Sequence, residues 1–361
     1  MRDRRPCLDH TGRDADLKPD PRIPRALSPR RVRLVHYSSW PLMPPTVFGL
    51  APLQGIADPF MRTHLSALGG MSWCVAGFVR VTASDLPDSY LLRFCPELRT
   101  GSLTRAGVPV QVQLLGSDAE RMAHTAARLV GLGAGGVDLN FGCPVRRVNG
   151  HGGGAALLRN AGAIERIVAA VRRALPSRIQ VSAKLRLGWD SPDAAVDIAR
   201  AAESGGASCV ALHGRTRTQG YDGVADWARI GMVRQHLRIP VIANGDLRTP
   251  EDVEACRRAS GCDRFLVGRG AIERPETFRV LAGLEACFWS WPRRAAFVAG
   301  CAEERLADGQ PPEKVAGLLK GWLVAMGRVE PAARELFRAH RRAESVDELV
   351  GALRTDAALV A

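Results

Sequence analysis

At 361 residues, with 46% hydrophobic and 24% charged residues, the chain can bury one large core, or one core plus a small appended domain. No apolar run approaches the roughly 18 residues that a membrane span needs, and the N-terminus lacks the apolar stretch of a secretory signal, so a soluble, cytoplasmic protein without a membrane partner is expected. The formal charge of +13 points to a polyanionic partner, nucleic acid first, although an arginine-rich codon bias raises charge without any function.

Residues 1–45 read as an N-terminal extension, disordered or not part of the natural product. Residues 1–42 carry ten Lys/Arg against five Asp and are rich in proline, and Met43 opens a more ordinary start. From Val47 onward, short β-rich apolar runs alternate with amphipathic helical stretches. The runs are "VFGLAPL", "WCVAGFV", "PVQVQLL", "GVDLNFG", "IQVSAKLRL", "CVALHGR", "PVIANGD" and "RFLVGRG". Strand–helix alternation implies a parallel sheet, and eight units match a (β/α)₈ TIM barrel, which typically takes about 250 residues; a doubly wound open sheet is the rival. The runs end at polar or special residues: Gln54, Arg80, Gln113, Asn140 with Cys143, Lys184 with Arg186, His213 with Arg215, Asn244 with Asp246, and Arg269. A barrel gathers all of these on one face, which is the main argument for an enzyme.

"GLGAGG" (131–136) satisfies G-x-G-x-x-G, but a helix precedes it and a strand follows, so it reads as a helix end and turn. After about Gly283 only helical patterns remain, over Pro292–Asp308, Pro311–Arg328, Pro331–Arg342 and Ser345–Val360. The expected division is a catalytic barrel over 46–284 and a helical domain over 285–361. Arg334, Arg338 and Arg341 fall at i, i+4, i+7, one stripe of a helix that is either solvated or phosphate-contacting.

The seventh and eighth runs end in "ANGD" and "GRG", where Gly245, Gly268 and Gly270 let backbone amides approach an anion and Arg269 adds charge, a phosphate-site pattern. Lys184 is the one charge in "IQVSAKL" and alternation points it into the barrel mouth, where a lysine binds phosphate, stabilises an anionic ring or forms a Schiff base. His213 ends the next strand, beside Arg215. Cys143 follows the fourth strand, with Pro144 after it and glycines at 150 and 152–154 in a loop able to fold over a ligand. A thiol near pKa about 8.5 is mostly protonated at neutral pH and can act as a general acid. The nine cysteines form no C-x-x-C pair, so neither a metal site nor a disulfide framework is expected. The residues themselves leave Cys143 as a catalytic or ligand-adjacent thiol.

Together, "LAPLQGIADPFMR", "VQLLG", "GVDLNFGCPVRRVNGHGGGAALL", "KLRLGWD", "HGRTRTQGY", "IANGD", "GCDRFLVGRGA", and "LKGWL" with "ELFRAHR" in the tail resemble the tRNA-dihydrouridine synthases, from about residue 48 to 355. The "FVRV" run, the cysteine loop and the tail look most like the bacterial C-type branch, which reduces uridine 16 of the tRNA D-loop. The resemblance implies FMN in the barrel mouth, NADPH as its reductant, and hydride transfer from flavin N5 to C6 of a flipped-out uracil while Cys143 protonates C5. It also implies FMN contacts from Pro52, Leu53, Gln54, Gln113, Lys184, His213, Asn244, Gly245, Asp246, Gly268 and Arg269. Asn140 would hold the uracil edge. Arg80, Arg215, Tyr221, Lys320, Trp322, Arg328, Arg334 and Arg338 would bind or orient the tRNA. The partner is then tRNA, and a monomer is expected. Two positions depart from that branch: Gln54 and Gly77 stand where glutamates are usual. Two other classes are weighed against this reading. An FMN barrel oxidoreductase acting on a free pyrimidine has no use for the basic helical tail. A non-catalytic tRNA-binding protein has no use for Cys143, Lys184 and the phosphate loops.

Overall fold

The computed structural model describes residues 46–82, 85–343 and 345–358; the expectation for residues 1–45 lies outside them. Each of the eight apolar runs forms a strand: β1 (Val47–Leu50), β2 (Trp73–Arg80), β3 (Val110–Leu115), β4 (Gly136–Asn140), β5 (Gln180–Arg186), β6 (Cys209–His213), β7 (Val241–Asn244) and β8 (Arg264–Val267). All neighbours are parallel, and β8 closes on β1 with Val47 opposite Arg264 and Leu50 opposite Val267. This is a closed (β/α)₈ barrel, as the alternation predicted.

The strands end where local chemistry starts helices. Asp58, Asp118, Asn160, Asp226 and Thr249 each accept a hydrogen bond from the backbone N–H three residues on, and Thr249 with Asp252 forms a full capping box. The "GLGAGG" segment follows the Ala119–Gly131 helix and precedes β4, a helix end as read from the order of elements.

Four helices follow the barrel: Trp291–Ala307, Pro312–Met326, Pro331–His340 and Val346–Ala358. They share one continuous apolar core with the barrel's outer layer, through residues such as Val298, Leu319, Leu323 and Leu349. Buried polar contacts fix the docking. Arg294 reaches Glu276 at 2.7 Å and Glu330 at 3.0 Å, and Arg305 grips Asp58 through bonds of 2.8 and 2.9 Å. The indole N–H of Trp322 donates to the Ile272 carbonyl at 3.0 Å. The helices therefore sit against the first and last barrel units, beside the strand ends that carry the site. Among the described residues, no helix is long and apolar enough to cross a membrane.

Candidate active site

Inward-pointing residues alternate along each strand, and the register sets which of them meet. Gln113 lies opposite Asp138, Asp138 opposite Ser182, and Asn140 opposite Lys184; His213 lies opposite Asn244. Above this layer the strand ends enclose a cavity of about 510 Å³. Its walls include Pro52, Leu53, Gln54, Gln113, Asn140, Cys143, Lys184, His213, Tyr221, Asn244, Gly245, Asp246, Gly268 and Arg269. The structure thus brings together, around one space, all of the residues expected at a cofactor, Cys143, and two of those expected at the substrate.

Cys143 is 9% exposed and held from both sides. Its N–H donates to Asn140 Oδ1 at 2.9 Å, and its carbonyl accepts from Asn149 Nδ2 at 2.9 Å and from the Ala155 N–H at 3.1 Å. The glycine-bearing loop is therefore folded down on the cysteine. Burial pushes the Cys143 thiol up, against the smaller opposing effects of the Val145 backbone, Arg186 and Lys184, so it stays protonated at neutral pH. Lys184 donates to Asn244 Oδ1 at 2.9 Å, and Asn244 donates to the Leu266 carbonyl at 2.6 Å. Burial, then Arg186, brings the Lys184 ammonium down to about 8, with Asp138 and Cys143 opposing. His213 is neutral: burial and the cations of Lys184, Arg186, Arg215 and Arg269 hold it well below the usual imidazole range.

The β7–β8 wall has a different character. Asp246 adopts a left-handed φ of 55°, held by Arg215 through bonds of 3.0 and 2.6 Å, by the Ala225 N–H at 2.8 Å and by Arg269 at 3.2 Å. Arg248 adds a further cation at 3.7 Å. Burial of Asp246 is outweighed by these partners, Arg215 first, and its carboxyl lies below its ordinary range. Beside it, Gly245 has φ +119°, and a Cβ there would stand 2.8 Å from the His213 ring. The wall is cationic around one carboxylate, with a backbone that only glycine fits, an arrangement suited to an anion.

Several expected substrate contacts lie elsewhere. Arg215, expected to face the substrate, is 2% exposed in its side chain. Its guanidinium is spent on Asp246 and on the Asp222 and Gly223 carbonyls, so it shapes the wall from behind. Trp322, expected to bind or orient the tRNA, is 7% exposed and docks the helices on the barrel through Ile272. Both corrections have one cause: a side chain suited to RNA is equally suited to satisfying buried carbonyls, and spacing does not say which it does. Arg80 is half-buried at the end of β2, outside the cavity wall. Lys320 donates to the Ala343 carbonyl at 2.6 Å. Arg328 is exposed, 3.9 Å from Glu273, and Arg334, Arg338 and Arg341 are exposed along the Pro331–His340 helix and its C-terminal end.

The two departures explain each other. Gln54 Oε1 accepts from the Phe78 N–H at 2.7 Å and stands 2.6 Å from where a Cβ at position 77 would sit, so Gln54 occupies the room that Gly77 leaves. Sequence reasoning passed over Asp138, a buried carboxylate on the inward face of β4, and Asn149. Period-2 alternation with Asn140 was the available signal for Asp138. Among the described residues no group of three or more His, Cys, Asp or Glu side chains is placed to hold a metal.

Comparison with known proteins identifies the family. The dihydrouridine synthase (Dus) family model matches residues 49–307. The tRNA-dihydrouridine(16) synthase of Aquipseudomonas alcaligenes is 40% identical over 311 residues, covering 83% of this chain and 98% of that protein. Its counterpart from Cupriavidus necator is 42% identical over 306 residues, covering 83% and 94%. Among solved structures, histamine dehydrogenase from Rhizobium sp. 4-9 superposes with a TM-score of 0.50 at 13% identity, covering 71% of this chain and 48% of that one, a likeness of fold alone. With the match spanning the barrel and its cavity, the chain belongs to the dihydrouridine synthase family.

Proposed function

We propose that the protein reduces a tRNA uridine, at position 16 of the D-loop as in the names of its relatives, to 5,6-dihydrouridine in the cytoplasm, with FMN in the barrel mouth and NADPH as reductant. The observation that carries the reading is a buried thiol, Cys143, in the same cavity as an amide-rich floor and a cationic wall. That donor set fits FMN. The amides of Gln113 and Asn244, the Lys184 ammonium and neutral His213 suit the polar edge of a flavin ring, and Pro52, Leu53 and Gln54 border the same cavity. The strand ends at Gly245, Asp246, Gly268 and Arg269 suit its phosphate. When bound, FMN supplies hydride to C6 of uracil, drawn from NADPH.

The chain's own residues do the rest. Cys143 gives its Sγ proton to C5, completing saturation of the C5–C6 bond, and the thiolate regains a proton from solvent. Asn140 spends its carbonyl on the Gly142 and Cys143 N–H groups and one amide hydrogen on Gln113, leaving the other for a uracil carbonyl. The uridine must leave its stack to enter the cavity. The exposed Tyr221 ring, with Arg269 4.7 Å from its centroid, suits the entrance. In the proposed division of labour, 46–284 is the catalytic barrel and 285–361 the tRNA-binding region. Arg80, Lys320, Arg328, Arg334 and Arg338 orient the tRNA.

The test is the absorption spectrum of the purified protein, followed by anaerobic reduction with NADPH and addition of unmodified tRNA. A flavin spectrum whose reduced form is reoxidised by tRNA is expected. Reoxidation by free pyrimidines alone would make this a small-molecule oxidoreductase. Failure to bind FMN even on reconstitution would remove the reading.

A further inference from the structure

Beneath the floor of the cavity, behind Gln113, lies a buried group to which the proposed chemistry gives no task. Asp138 is 2% exposed on β4. Its Oδ1 accepts from Ser182 Oγ at 2.5 Å and its Oδ2 from Gln113 Nε2 at 2.6 Å. Gln113 Oε1 in turn accepts from Asn140 Nδ2 at 2.7 Å, and Asn140 Oδ1 accepts from the Gly142 and Cys143 N–H groups at 3.0 and 2.9 Å. A side-chain amide can be turned over at little cost when its neighbours allow it, because oxygen and NH₂ are nearly alike in shape. Here neither amide can turn. An ionised carboxylate only accepts, so Gln113 must point its NH₂ down and its oxygen towards Asn140. Asn140 must then present its oxygen to two backbone donors.

We propose that Asp138 is a positioning residue that acts through Gln113 and Asn140 to hold the Cys143 backbone in place. The groups facing Asp138 come from three strands: Gln113 of β3, Ser182 and Lys184 of β5, and Cys209 of β6. Burial raises the Asp138 carboxyl to about 6, against the hydrogen bonds of Gln113 and Ser182 and the charge of Lys184, so at neutral pH the acceptor-only form predominates. With asparagine at 138 the polarity is no longer fixed. In the inverted setting Asn140 offers NH₂ to two N–H groups, a donor–donor conflict that releases the loop. The inference bears on catalysis through the reading of Cys143 as the proton donor, but its geometry is measurable without any turnover.

The experiment is iodoacetamide labelling of the purified protein at equal flavin content, followed cysteine by cysteine by peptide mass spectrometry, in the wild type, Asp138→Asn and Ser182→Ala. Asp138→Asn should label Cys143 about tenfold faster, the worth of one strong hydrogen bond, with buried Cys74, Cys256 and Cys301 unchanged. Ser182→Ala, the milder change, should give the same pattern at about threefold. An unchanged Cys143 rate in both variants would overturn the proposal. So would a rise shared by all four cysteines, which would mean that Asp138 serves the fold as a whole. Because labelling needs neither tRNA nor NADPH, failure here and failure of the proposed reaction are separate results.

Discussion

The barrel interior is split lengthwise. On the side of β1, β2 and β6–β8 it holds a buried apolar cluster, made of Val47, Ala51, Trp73, Val75, Cys209, Ala211, Ile242 and Leu266. On the side of β3–β5 it is polar to mid-depth, with Gln111 donating to Gln180 at 3.2 Å beneath the Asp138 group. The apolar half gains from burial in the ordinary way. The polar half costs desolvation, and the raised Asp138 carboxyl records that cost. It is tolerated because its hydrogen bonds are satisfied in one direction, towards Cys143. Apolar packing and the polar hydrogen-bonded chain thus lie on opposite sides of the barrel below the cavity.

Removing the end point of the polar half should have the largest effect. Cys143→Ala should lower dihydrouridine formation by about 10²–10⁴-fold, the usual range for a lost general acid, while equilibrium titrations show FMN and tRNA still bound. Unchanged turnover would remove Cys143 from the proton-donor role. The apolar half should answer in the opposite currency. Ile242→Ala should cost about 2–5 kcal/mol of stability in denaturant unfolding, as large-to-small core changes do, with turnover per folded molecule kept. A loss of turnover without a loss of stability would blur the division.

The pH dependence sharpens the same contrast. Asp138 moves from an ordinary 3.8 to about 6 on folding, so between those values the folded state holds the extra proton. The folded state is therefore favoured below about 4 and loses that advantage as pH rises through 6, by about 3 kcal/mol in all. Unfolding free energies measured from pH 4 to 7 should show the wild type losing ground to Asp138→Asn by that order. A flat difference would mean that Asp138 keeps an ordinary carboxyl. The smallest effect belongs to the tail. Neutral replacements of Arg334, Arg338 and Arg341 should each flatten the salt dependence of tRNA binding by about one unit of slope if they contact phosphates. An unaltered slope would make them a solvated face.

Much of this was legible in the sequence. All eight strands follow the apolar runs, because hydrophobic periodicity and side-chain caps act locally. The cavity residues were legible for a related reason: strand ends of a parallel barrel share one face. What was not legible depends on pairing between distant segments. Asp138 gains its role only from the register that sets it between Gln113 and Ser182, and Gln54 is understood only beside Gly77. Arg215 and Trp322 were misplaced because their targets, Asp246 and the Ile272 carbonyl, are brought near by the fold.

The central claim is tested most directly by mapping dihydrouridine, nucleotide by nucleotide, in unmodified tRNA incubated with the protein, FMN and NADPH. The account predicts a single new dihydrouridine, at position 16 as in the names of its relatives. A tRNA left without dihydrouridine, or modified only at another position, would contradict it.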